Sequence, residues 1–178
     1  MNKGDWFAEA VEFVVSEGLF KGVSDDEFNP NGGMTRAMLV TVLWRLEGAP
    51  KAAYANGFAD VEDGSWYDAA VTWASANGLV KGYNATTFGP NDMITREQMA
   101  TILFRYAYMR GLNTGYRADL SRYTDAGSIS GYAREAMSWA VETGIISGMT
   151  STTLNPAGTA TRAQVATILM RFVKWFGL

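Results

Sequence analysis

A mainly all-α body with pseudo-threefold symmetry is the fold this sequence predicts, and three observations predict it. The first is a repeat: the offsets +12, +16, +22, +24, +29 and +30 from Trp6 reach Gly18, Gly22, Phe28, Pro30, Thr35 and Arg36. From Trp66 they reach Gly78, Gly82, Phe88, Pro90, Thr95 and Arg96, and from Tyr132 they reach Gly144, Gly148, Leu154, Pro156, Thr161 and Arg162, with no gap inside any unit. The second is helical spacing of apolar residues at both ends of each unit. The third is size: two helices of about three turns cannot bury both of their apolar stripes alone, so the three units must pack on one another.

Each unit reads as helix, loop, helix. The first helix carries Trp6, Ala10, Val11 and Val14, then Trp66, Ala70, Val71 and Ala74, then Tyr132, Ala136, Met137 and Ala140, with a further aromatic at Phe13, Trp73 and Trp139. Gly18, Gly78 and Gly144 stand where a left-handed residue ends such a helix. A loop of about sixteen residues follows (19–34 in the first unit), which is longer than most helix–helix connections and therefore a candidate for function. The turn-rich stretches beside Phe28 and Phe88 suggest a short extended pair within it. Thr35, Thr95 and Thr161 then read as N-caps, and Gln98 and Gln164 complete capping boxes where the first unit has Met38. The second helix shows Leu39, Val42, Leu43 and Leu46, then Met99, Ile102, Leu103 and Tyr106, then Val165, Ile168, Leu169 and Phe172. These signals place the units at 1–48, 58–110 and 123–178, with connectors at 49–57 and 111–122. Phe58-Ala59-Asp60 and Tyr123-Thr124-Asp125 precede units two and three. The first unit begins too late to carry that element, which reads as an excised piece of a longer protein. The end at Trp175-Phe176-Gly177-Leu178 suits a C-terminal module of such a chain.

Composition removes much chemistry. The 178 residues contain no Cys and no His, which excludes thiolate metal sites, disulfides, Cys nucleophiles, Ser-His-Asp triads and imidazole acid–base catalysis. Fifteen basic against 18 acidic residues give a net charge of −3, so nucleic acid and anionic lipid are repelled on average. No run of about 18 apolar residues is present to span a membrane. No phosphate-binding glycine loop opens a helix, and neither acidic stretch fits an EF-hand. Asp25-Asp26-Glu27 and Asp60/Glu62/Asp63 read as solvated loop charge. Metal sites and cofactors are thus not expected, and neither is an enzyme.

The informative position is the arginine after each N-cap: Arg36, Arg96 and Arg162. A helix N-terminus carries partial positive charge, so a cation at the first helical position is disfavoured and asks for a reason. A guanidinium beside a helix N-terminus suits a carboxylate or phosphate. Internal pairing with an acid such as Asp60 or Asp125 is the other reason, and both stay open. Next come Lys21-Gly22, Lys81-Gly82-Tyr83 and Ser147-Gly148-Met149, where a glycine allows close backbone approach to a ligand or serves a positive-φ turn. Ser147 brings no cation, so a site on the third unit should be weaker or different. Trp6, Trp66 and Tyr132 begin apolar stripes and are expected in the core, stacking on a sugar face being the lesser reading. Tyr83 and Tyr67 are freer.

The run from Leu79-Val80-Lys81-Gly82-Tyr83 through Thr86-Thr87-Phe88-Gly89-Pro90 to Ile94-Thr95-Arg96-Glu97-Gln98 resembles the surface-layer homology repeat. Met34-Thr35-Arg36-Ala37-Met38 and Ala160-Thr161-Arg162-Ala163-Gln164 match it in the other units, so the resemblance covers nearly the whole chain. It implies a three-pronged helical body, a monomer with grooves between repeats. It also implies non-covalent anchoring of an S-layer protein or surface enzyme to the bacterial cell wall, hence an extracellular location. The implied partner is secondary cell wall polysaccharide carrying ketal-linked pyruvate, joined to peptidoglycan. By motif, Arg36, Arg96 and Arg162 would contact the anion. Gly22, Gly82 and Gly148 would offer backbone groups, with Lys21, Lys81 and Tyr83 assisting, and Asp60 and Asp125 would take sugar hydroxyls. Met38 and Gln stand where the family has Glu, and Ser147 and Met149 replace Lys and Tyr. At most two strong grooves are therefore expected. The competing reading is a structural module that assembles with protein partners without binding glycan.

Overall fold

The computed structural model describes residues 4–24, 27–52 and 56–178. It is all-α, with six helices: α1 Ala8–Ser16, α2 Arg36–Leu46, α3 Asp68–Ala76, α4 Arg96–Met109, α5 Arg134–Glu142 and α6 Arg162–Phe176. Two 3₁₀ turns, Ala126–Ser128 and Gly131–Ala133, lead into α5. The punctuation is chemical. Gly18, Gly78 and Gly144 take φ of 67°, 71° and 70° just past α1, α3 and α5. Around Gly18 the N–H of Leu19 returns to the carbonyl of Val14 and that of Gly18 to Val15, the doubly bonded Schellman end. Thr35, Thr95 and Thr161 accept the N–H of the residue three positions on, and Gln98 and Gln164 close capping boxes.

The helices do not pair within units. α3 packs on α2, α5 on α4, and α1 on α6. Each first helix therefore covers the apolar stripe of the preceding unit's second helix, and the last pairing joins the two ends of the chain into a closed ring. Backbone hydrogen bonds close the same ring at its centre. Met34 N–H donates to the Ala160 carbonyl (3.1 Å), Ala160 N–H to Ile94 (3.3 Å) and Ile94 N–H to Met34 (2.9 Å). Isolated bridges Gly33–Thr161, Thr35–Met93 and Thr95–Thr159 flank these bonds. The extended pairing anticipated inside each loop is reduced to one short closure per loop, Val23 N–H to Glu27, Tyr83 N–H to Thr87 and Met149 N–H to Thr153, while one residue of each unit enters the three-way junction.

One continuous core runs through all three units, and Met34, Ile94, Leu43, Leu103, Leu169, Trp139 and Phe172 are all essentially inaccessible. The accessible surface of 8850 Å² is close to the ~8500 Å² expected of a single compact body of 19.4 kDa, rather than three loosely linked ones. Trp6, Trp66 and Tyr132, however, are 67%, 58% and 56% exposed. The expectation that they enter the core fails because the helices begin at or after the second residue beyond them. Each aromatic stands on the preceding turn, and the stripe starts at Ala8, Ala70 and Ala136. Among the described residues no helix is long and apolar enough to cross a membrane.

Candidate functional site

The three arginines that follow the N-caps are buried, at 6%, 4% and 6% exposure. Side chains on a helix lean toward its N-terminus, so an arginine at the first helical position reaches out of the helix and into the next unit. Arg36 Nε–H donates to the Phe88 carbonyl at 2.9 Å. Arg96 donates from Nε to Leu154 (2.7 Å) and from Nη2 to Ser147 (2.6 Å). Arg162 donates from Nε to Phe28 (2.8 Å) and from Nη2 to Lys21 (2.8 Å), which ties the last unit to the first. These partners are carbonyls, not the acids anticipated for internal pairing. Burial pulls all three guanidinium groups below their ordinary pKa, against the charges of Asp60 and Asp92 near Arg36 and of Asp125 near Arg96. They stay cationic, because arginine does not lose its proton in proteins.

The helix N-termini beside them are already occupied. Arg36 N–H donates to Asp92 O and Ala37 N–H to Pro90 O. Arg96 and Glu97 use Gly158 and Pro156 in the same way, and Arg162 and Ala163 use Gly32 and Pro30. The third free N–H goes to the capping threonine. An anion seated on the bare end of the helix is therefore ruled out as a description of this site. The donors left for a ligand are outer guanidinium nitrogens and neighbouring side chains.

Those side chains line three grooves, one at each junction between units, with volumes near 290, 300 and 420 Å³. The Arg36 groove is bounded by Lys81-Gly82-Tyr83, by Gln98, Thr101 and Arg105 of α4, and by Tyr132. The Arg96 groove has Ser147-Gly148-Met149, Gln164, Thr167, Arg171 and Trp6 in the same places. The Arg162 groove has Lys21-Gly22-Val23, Met38, Thr41, Arg45 and Trp66. Among the described residues three cations line the first groove, two the second and three the third, and no carboxylate lines any of them. The Arg36 groove differs in one respect. Among the described residues neither outer nitrogen of Arg36 has a hydrogen-bond partner, whereas Arg96 and Arg162 each use one. The Arg36 guanidinium carbon lies 4.6 Å from the centre of the Tyr83 ring and 4.8 Å from that of Phe88, as that of Arg162 lies over Phe20 and Phe28.

The second arginines, Arg45, Arg105 and Arg171, escaped the sequence reading, as did the threonine row. Both recur at fixed offsets, +39 and +35 from Trp6, Trp66 and Tyr132, so the repeat that exposed the first arginines also contained them. Arg45 and Arg105 brace the carbonyls of Leu19 and Leu79. Tyr67 is half-buried, edge-on to Trp66, and lines none of these grooves.

Gly82 alone of its three counterparts has positive φ, 69°. A methyl group there would lie 2.6 Å from the Phe58 ring and from the Thr87 carbonyl. At Gly22 and Gly148 it would lie 2.2 Å and 2.3 Å from loop carbonyls. Each glycine is thus required by the loop's own crowding. Asp60 and Asp125 stand outside the three grooves and bind the loops instead. Asp60 accepts Phe88 N–H (2.8 Å) and Gly89 N–H (2.7 Å), and Asp125 accepts Leu154 and Asn155 N–H. Burial raises both carboxyls, but these bonds and the nearby Arg36 or Arg96 charge outweigh it and hold them below the ordinary range. Asp25 and Asp26 of the acidic run lie outside the described residues.

A closed ring of three helical repeats, clamped by arginines and bearing cationic grooves at its junctions, defines a repeat-built module with ready-made clefts. Residues 1–37, 57–100 and 122–166, well over half the chain, match the S-layer homology domain, and the chain belongs to that family. It is similar to an amylopullulanase of Thermoanaerobacterium thermosulfurigenes, 32% identical over 94% of this chain and 9% of that protein. It is also similar to the exoglucanase XynX of Acetivibrio thermocellus, 32% identical over 94% of this chain and 15% of that one. The surface-layer 125 kDa protein of Lysinibacillus sphaericus is 31% identical over 93% of this chain and 14% of its own length. The chain thus spans under a sixth of each of these relatives.

Proposed function

We propose that this chain anchors a larger protein to the bacterial cell surface by binding an acidic wall glycan in its inter-repeat grooves. Secondary cell wall polysaccharide bearing pyruvate ketals is the intended ligand. The observation that carries this reading is the lining of the grooves: among the described residues, two or three cations and no carboxylate in each, within a chain of net charge −3. Such a concentration of one sign attracts an anion to a defined cleft. A pyruvate ketal offers one fixed carboxylate per sugar, which suits the paired outer nitrogens of the Arg36 guanidinium. The threonines and glutamines supply neutral donors and acceptors for hydroxyl and acetamido groups, and an exposed aromatic closes each groove. Similarity to a surface-layer protein along nearly the whole chain supports a cell-surface setting.

The test is co-sedimentation with purified wall polymer before and after chemical removal of pyruvate. Binding is expected to the intact polymer and not to the stripped one. Arg36→Ala should weaken it by the ~1.5–3 kcal/mol of a charge-assisted contact, about ten- to 150-fold. Equal binding to both polymers would overturn the reading, and concentration-dependent self-association without polymer would favour an assembly module instead.

A further inference from the structure

The three grooves are not equally preorganised. In the Arg96 and Arg162 grooves the closing aromatics, Trp6 and Trp66, touch Phe7 and Tyr67 edge-on, at 5.3 Å and 5.0 Å. No hydrogen bond to their indole nitrogens occurs among the described residues. Tyr132 is held differently. Its hydroxyl donates to Glu97 Oε1 at 3.3 Å, and the same carboxylate accepts Ser130 Oγ–H (2.7 Å) and Ser130 N–H (2.9 Å). Glu97 is 8% exposed, on the second position of α4, and among the described residues no cation forms a salt bridge with it. The corresponding residues of the other units are Ala37 and Ala163, which can hold nothing.

We propose that Glu97 is a positioning residue: it fixes the Tyr132 ring as a rigid wall of the Arg36 groove, which Tyr83 also lines, and so makes this groove selective for a flat sugar face beside an anion. This rests on the glycan-binding reading above. The physical basis is preorganisation. A side chain already ordered in the free protein loses less entropy when a ligand packs on it, and aromatic rings contribute contact with few torsions to freeze. Two tyrosines, Tyr83 and Tyr132, line this groove, whereas Val23 and Met149 stand in place of Tyr83 in the others. Burial and the neighbouring Glu97 push the Tyr132 hydroxyl up to about 12, against the opposing charge of Arg36, and Arg105 is the other cation within electrostatic reach.

The test is calorimetric titration of the whole chain with a synthetic pyruvylated N-acetylhexosamine. Glu97→Gln and Tyr132→Phe should each weaken binding about two- to tenfold, the range set by ordering one side chain. The double variant should be no weaker than either, because both cut one tether. Glu62→Gln, a change to an exposed carboxylate that lines none of the three grooves, should bind like the parent. Ultraviolet titration of the phenols should show one tyrosine returning toward 10 in Glu97→Gln. Additive effects, or unchanged affinity in Glu97→Gln and Tyr132→Phe while the parent binds and Arg36→Ala does not, would overturn this proposal alone. A parent chain that fails to bind the sugar overturns the anchoring reading and this proposal with it.

Discussion

Arg96→Ala should destabilise the fold more than any single change at the groove surface. Its guanidinium makes two short bonds to carbonyls of the next unit, 2.7 Å to Leu154 and 2.6 Å to Ser147, and the residue is 4% exposed. Hydrogen bonds to a charged group contribute about 1.5–3 kcal/mol each. Partial replacement by water at the groove edge lowers the sum, leaving about 3–5 kcal/mol. That is a large share of the ~5–15 kcal/mol that holds a domain folded. At about 2–4 °C per kcal/mol for a chain of this size, the melting temperature should fall by roughly 6–20 °C. Scanning calorimetry at neutral pH reads this directly. Arg171→Ala is the control, since that exposed residue makes one long 3.4 Å contact to Ser147 Oγ, and it should lie within about 0.5 kcal/mol of the parent. Arg96→Lys keeps the charge but not the fork, and should recover less than half of the loss. A melting temperature for Arg96→Ala within about 2 °C of the parent would refute the view that these arginines clamp the ring.

Gly82→Ala should cost about 1–3 kcal/mol in urea unfolding, because φ is 69° and the new methyl group would sit 2.6 Å from two neighbours. Gly78→Ala, strained but with open space around it, should cost only about 1 kcal/mol. Acid should loosen the loops through Asp60 and Asp125. Their folded pKa values lie below the ordinary 3.8, so the stabilisation is complete above that value and is lost as pH falls through the folded ones. Asp125→Asn should flatten that acid limb in thermal melts taken from pH 5 downward. Affinity for an acidic glycan should fall as salt rises from about 0.05 to 0.5 M, as fits charges at a partly open groove, and titrations across that range measure it.

Much of the fold is local chemistry and could be read from the chain. The capping threonines, Gln98 and Gln164 as their partners, and the left-handed glycines at 18, 78 and 144 act within five residues of themselves, and they stand where the sequence puts them. The all-α class followed from the same signals. What stayed hidden depends on which unit meets which. Nothing in the apolar stripe of α1 says that it covers α6 and not α2. Without that pairing, Trp6 and Trp66 look like core residues instead of groove walls. The arginines stand out in the sequence as anomalies, but their partners, carbonyls in the next repeat, have no side-chain signature in sequence. The same is true of the N–H groups of α2, α4 and α6, which are consumed by neighbouring loops at Asp92, Gly158 and Gly32. Arg105 and its counterparts were legible in principle, since they repeat at a constant offset.

The most direct test of the account is a crystal structure of the chain soaked with a pyruvylated N-acetylhexosamine. The account predicts the sugar in the Arg36 groove, its carboxylate within hydrogen-bond reach of the outer nitrogens of Arg36 and its ring against Tyr132. A sugar bound away from all three junctions, or a groove that admits the pyruvate-free sugar equally well, would contradict it.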